Sequence, residues 1–172
     1  MNRRKFLQAA LITPVVLVAG VKTVAMARHY PLDELLTQLQ RLPADKLISH
    51  GNWNVSSILQ HLAQSIRYSR LGYPQAKSAV FQYTAGAAAL NVFTATGSMT
   101  HPLDEPIPAA PALVDDVPND VAMAELVGEI NLFIAWQGEL APHFAYGNLT
   151  KAQYYNAHYL HIQNHLSEIS LS

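Results

Sequence analysis

Cysteine is absent from the sequence. Its absence excludes disulfide bonds, thiolate metal ligands and a cysteine nucleophile, and it is harmless in an oxidising compartment. Charge is scarce too, with Asp, Glu, Lys and Arg making up 13% of the residues. Between Lys77 and Lys151 the only basic side chains are histidines, while eight acids fall there. A nucleic-acid footprint needs a basic patch, so nucleic acid is excluded as a partner. No strand-hairpin signal and no internal repeat stands out.

The sequence also lacks an apolar run of the roughly 20 residues that span a bilayer. The longest, Phe6 to Val21, is about 16 residues and carries Pro14 and Gly20. It follows a basic segment, Arg3-Arg4-Lys5, and precedes Ala25-Met26-Ala27, an A-x-A cleavage site. Residues 1–27 therefore read as an export signal peptide, with a mature chain from Arg28 and no stable membrane insertion after cleavage. The paired arginines followed by Phe6-Leu7 resemble the twin-arginine signal, although Asn2 and Gln8 stand where Ser/Thr and Lys are usual. An ordinary secretory signal is the alternative. The expected location is the periplasm or another exported compartment. Without the leader, seven basic residues face twelve acidic ones, a formal charge of −5.

Half of the residues are apolar, enough for one domain with a real core over residues 28–172. Every strong periodic signal is helical. In "PLDELLTQLQRL", Pro31 stands in the first turn, acids follow it, and Leu32, Leu35, Leu36 and Leu39 repeat at helical spacing. In "NWNVSSILQHLAQSIRYSRLGY", Asn54 is an N-cap and Val55, Ile58, Leu59, Leu62 and Ile66 form a stripe that ends before Gly72 and Pro74. "AKSAVFQYTAGAAALNVFTATG" reads as a weaker helix interrupted by Gly86. Residues 97–119 carry five prolines and read as a long loop, either a cover over a site or a connection between helix ends. A helix then runs through "NDVAMAELVGEINLFIAWQGELA" to Pro142. A last one, capped by Thr150, runs through "LTKAQYYNAHYLHIQNHLSEIS". The expected architecture is an all-α antiparallel helical bundle.

Histidines occupy positions where leucines are expected. At about 100° per residue, His158, His161 and His165 share one narrow sector of the last helix, beside the stripe of Ile162, Leu166 and Ile169. His61, three residues after Ile58, stands at the edge of the stripe on its own helix, with Ser65 and Tyr68 continuing a polar line. Unpartnered buried imidazoles cost about 1–3 kcal/mol each, and protonated neighbours would repel. A divalent metal resolves both, since an i, i+4 pair makes a two-point chelate that His61 can complete from another helix. The alternative is a set of satisfied boundary residues. His29, His50, His101 and His143, in loops or termini, read as ordinary polar residues.

Trp53-Asn54-Val55 followed by His61-Leu62-Ala63, together with His161-x-x-x-His165-Leu166 on the final helix, resembles the DinB/YfiT-like four-helix bundle superfamily. The segments "GSMTHPLDEPIPAAP" and "APHFAYGNLTKAQYYNAHYLHIQNHL" look like an exported branch of uncharacterised proteins within it, so the resemblance covers most of Pro31 to Ile169. It implies a four-helix bundle with an extra helix and a long proline-rich loop. It also implies that His61, His161 and His165 bind a divalent metal, for which zinc and nickel are both suitable. His158 has no counterpart in that triad and would support the ligands or lie at the surface. Characterised members include thiol-dependent transferases and an isomerase that uses a low-molecular-weight thiol, a chemistry that export would separate from its cytoplasmic thiol.

Three imidazoles leave coordination positions open, which suits a metal-dependent hydrolase, lyase or transferase acting on a small molecule. Glu168 and Tyr68 are the nearest general-base candidates by helical position, although structural roles are commoner for both. The other reading is a non-catalytic metal-binding or stress-related module; a third, a helical interaction protein, would require His61 to be exposed. A homodimer is an open option in either case.

Overall fold

The computed structural model describes residues 20–172. The twin arginines and the apolar run up to residue 19 lie outside the described residues. Residues 20–27 are helical (α1) and contain the Ala25-Met26-Ala27 motif. Among the described residues, no helix is long and apolar enough to cross a membrane.

The rest is mostly helical. Four elements share one core: α2 (Leu32–Leu39), α3 (Val55–Leu71), α6 (Asn119–Ala135) and α7 (Lys151–Leu166). They pack antiparallel, and α3 and α6 form the most extensive helix pair. Leu35 and Leu39 of α2, Ile58 and Leu62 of α3, Leu126 and Ile130 of α6, and Tyr154 and Ile162 of α7 are all buried in that core. The caps form as their residue types dictate. The Asn54 side chain accepts from the Ser57 N–H, and Thr150 and Gln153 form a reciprocal capping box at the start of α7. Arg67 and Arg70 of α3 clamp Glu129 of α6, and Arg67 also reaches Glu125 at 2.7 Å.

The weak middle helix is three pieces: α4 (Ala79–Phe81), a π turn (Gln82–Gly86) and α5 (Ala87–Thr96), ended by Gly97 in the left-handed conformation. The π turn falls at the glycine that interrupts the sequence pattern. There the helix lies so close to the 143–147 segment that a Cβ on Gly86 would stand 3.1 Å from the Ala145 carbonyl carbon.

Two helix ends differ from the sequence pattern. α6 stops at Ala135 instead of running to Pro142, and Trp136 is extended (ψ 127°). The Lys151 ammonium donates to the carbonyls of Ile134 and Trp136, so a cation from the next helix satisfies the freed acceptors. α7 stops at Leu166 instead of continuing to Ser170. Its expected last turn is a strand, β2 (Ile169–Leu171), antiparallel to β1 (Leu47–Ser49), with Ile48 opposite Ser170. Three-residue strands are too short to show alternation in sequence, and only the pairing reveals them.

The proline-rich segment is fastened to the helices. Gln60 of α3 donates from Nε2 to the Val114 carbonyl at 3.0 Å and accepts from the Val114 N–H at 2.9 Å. Asn52 donates to Asp104, and Gln64 to the Pro111 carbonyl. These bonds fasten residues 104–114 to α3 and the turn before it.

Candidate metal centre

α3 presents His61, and α7 presents His161 and His165 one turn apart. His61 is 4% exposed and His165 fully buried, which removes the reading that needed His61 at the surface. The His61 and His161 Nε2 atoms are 3.3 Å apart, and those of His161 and His165 are 3.1 Å apart. One nitrogen from each of the three lies within 4.8 Å of the others. Two nitrogens on one zinc ion, at bonds of about 2.0–2.1 Å, stand about 3.3–3.4 Å apart in tetrahedral geometry. An octahedral ion brings neighbouring ligands to about 2.9–3.0 Å. Two of the three separations match these values and the third is within 4.8 Å, so the three rings are placed to hold one divalent ion after at most a small closing movement.

The electrostatics agree. Burial, and then the neighbouring His101, lowers the His61 pKa to about 4. Burial, with His61 and His101 behind it, lowers His165 to about 3. His161 is held well below the usual imidazole range, by burial first and then by its histidine neighbours. All three rings are therefore neutral at pH 7, the state in which imidazole is a ligand. Trp53, just before α3, packs against two of them: its ring is 5.1 Å from His61 and stacks parallel to His165 at 6.5 Å. The Nδ1 atoms of His61 and His165 are buried and have no hydrogen-bond partner. Ring orientation thus rests on packing where many metal sites use a carbonyl or carboxylate.

His158 does not lie at the surface. It is 2% exposed, edge-on to Phe133 at 4.8 Å and stacked with Tyr154 at 5.3 Å. Burial lowers its pKa to about 3 and leaves its Nε2 without a partner. Two loop histidines also depart from the ordinary-polar reading. His143 is buried, accepts the backbone N–H groups of Ala145 and Tyr146 at Nδ1, and stacks on Tyr146 at 4.3 Å. His101 packs its ring against His161 and His165. His50, by contrast, lies exposed beside the Ser170 hydroxyl, and His29 is exposed near Tyr155. No sequence signal marked His101 or His143, since each reaches the site only through the path of a long loop.

A cavity of about 270 Å³ adjoins the cluster. Histidines 61, 101, 143, 158 and 161 line it, with Phe81, Met99 and Ile107 among its apolar walls. Lys77 and Glu105 are its charged side chains. Neither sequence-derived base candidate reaches it: Glu168 packs against Gly51, and Tyr68 faces Tyr73.

The family model of DUF1569, described as a protein of unknown function, matches residues 25–171. The chain belongs to that family. The match covers the whole helical domain and all the histidines of the site. No curated protein and no solved structure matches the chain. The activity of this DUF1569 protein therefore has to be argued from its own geometry.

Proposed function

We propose that the protein is an exported member of the DinB/YfiT-like four-helix bundles that holds a divalent metal, zinc or nickel, on His61, His161 and His165 beside a small-molecule cavity. One observation carries this reading: the Nε2 of His161 is shared between two close contacts, at 3.3 and 3.1 Å. A neutral imidazole nitrogen has either one hydrogen or one lone pair. Hydrogen bonding can satisfy one of these contacts well, while a cation accepts the lone pairs of all three rings together.

When bound, such an ion supplies Lewis acidity and lowers the pKa of coordinated water, which suits hydrolase, lyase or transferase chemistry. The chain's own residues supply the cavity. It is open to solvent on the side of Lys77 and Glu105, and the neutral, buried ring of His158 lies on its wall. A pKa of about 3 makes His158 a poor general base at neutral pH. Its role is to exchange a hydrogen bond with a bound molecule and orient it. The mainly apolar lining favours a small, largely uncharged ligand.

Zinc or nickel titration of metal-free protein, read by thermal unfolding, tests the proposal. At a free metal concentration of 100 Kd the added stability is about 2.7 kcal/mol, or roughly 5–11 °C for a domain of this size. His161→Ala should abolish the shift. A wild-type protein that binds no stoichiometric metal refutes the proposal. The non-catalytic metal-binding module is the second reading, favoured by the fact that Glu105, the one carboxylate lining the cavity, is exposed. It predicts the same shift without turnover of any compound in a substrate screen.

A further inference from the structure

We propose that His101, carried by the proline-rich segment, is a fourth imidazole ligand of the metal held by His61, His161 and His165; the inference rests on that reading of the three-histidine site. The His101 ring centroid is 4.9 Å from that of His161 and 5.2 Å from that of His165. The separations within the triad are 5.2, 5.0 and 4.8 Å. His101 thus stands as close to His161 and His165 as the three helical histidines stand to one another.

Its hydrogen bonding decides what it offers. His101 Nδ1 lies 2.7 Å from the Pro102 carbonyl oxygen. A carbonyl only accepts, so Nδ1 carries a proton, and in the neutral ring that a metal requires Nε2 presents its lone pair. This is the arrangement by which a backbone carbonyl fixes the tautomer of a metal-ligating histidine. His61 and His165 lack that support. The His101 Nε2 is itself buried with no partner, and it lines the cavity beside His61 and His161. A buried lone pair facing a cluster of like lone pairs is destabilising unless something electrophilic lies between them. Ligation requires a further approach of the His101 ring, since the nitrogens within 4.8 Å of one another belong to the other three. Fastening at Asp104, Pro111 and Val114 anchors the segment on the C-terminal side of His101 and leaves the ring within reach. The segment thus becomes a clasp that the metal closes, and release of His101 reopens the coordination position that water or a ligand would take.

X-ray absorption of the zinc-loaded full chain counts the imidazoles directly. Four nitrogens in the wild type and three in His101→Ala are expected, with one metal per chain retained and affinity weakened at least about tenfold. If the wild type holds zinc through three imidazoles, and His101→Ala binds it with unchanged affinity, this inference falls while the three-histidine site stands. If the wild type takes up no zinc, both fall. Should His101→Ala not fold, the nitrogen count on the wild type decides alone.

Discussion

Replacing Gly86 by alanine and replacing Gly128 by alanine are the same chemical change with opposite expected signs. Both glycines lie within helical backbone, where alanine gains about 1 kcal/mol over glycine. At Gly128, in the middle of α6, an added Cβ meets nothing within 4 Å. The expected outcome is a stabilisation of about 0.5–1 kcal/mol. At Gly86 the added Cβ would fall inside the van der Waals envelope of the Ala145 carbonyl oxygen, 3.1 Å from its carbon and 3.3 Å from the Phe81 oxygen. These are backbone atoms that no rotamer change can move, so the π turn and the 143–147 segment must separate. Overpacking of this kind costs about 1–3 kcal/mol, and a backbone collision belongs at the upper end of that range. The steric term exceeds the propensity gain, leaving a net loss of about 1–2 kcal/mol. Urea unfolding followed by circular dichroism reads both variants, with an unchanged m-value and midpoints displaced in opposite directions. A Gly86→Ala protein as stable as the wild type would show that the two segments do not meet as described. The cavity wall formed by Gly86 and Ala145 would then need redrawing.

Acid should weaken the metal-free protein before its carboxylates titrate. Burial lowers His143 to about 3, with His158 contributing, and burial lowers His158 to about 3. The ordinary value in the unfolded chain is 6.5, so between pH 6.5 and pH 3 the unfolded state binds more protons and stability falls as pH falls. Each group forfeits about 2 kcal/mol between pH 7 and pH 5. Urea midpoints measured in chelator over that range should drop accordingly, and a flat profile would contradict the burial of these rings. At the α3–α6 seam, Glu129→Ala leaves the guanidinium of Arg70, 7% exposed, without its carboxylate. A loss of about 3–5 kcal/mol is expected, and the double change Arg70→Met with Glu129→Leu should recover most of it. Thermal melts check this, and a Glu129→Ala variant within about 1 kcal/mol of wild type would refute it.

What could be read from sequence was whatever is decided within one or two helical turns. Asn54 and Thr150 cap because their side-chain oxygens reach N–H groups three residues on, and the leucines of α2 bury one face at helical period. His161 and His165 stood out for the same reason, as polar residues repeating at a spacing that faces the core. What could not be read depends on contacts between distant segments. α6 ends where it does because Lys151, sixteen residues beyond Ala135, supplies a cation to its last carbonyls. β2 exists because Leu47–Ser49 is there to pair with it. His101 and His143 join the site through loop paths fixed by Gln60, Asn52 and the close approach at Gly86. A histidine beside a proline carries no trace of such a path.

A proton and a metal make different demands on the centre of the imidazole cluster. A proton would add one N–H and so serve one of the two contacts at the His161 Nε2. It would also place a cation in a site whose burial holds His161 well below its ordinary pKa. At neutral pH the proton is therefore excluded by the same burial that sets the rings facing one another. A divalent ion meets the opposite conditions. It brings more charge, but several lone pairs share that charge at once, and neutral rings are what it requires. Acid should then expel the ion, because each released ligand takes up a proton in its place. Burial holds His61 at about 4 and His165 at about 3, so proton uptake and metal release should rise in step only as the pH falls through about 4. Metal retained well below about pH 3 would place the ion somewhere other than on these histidines.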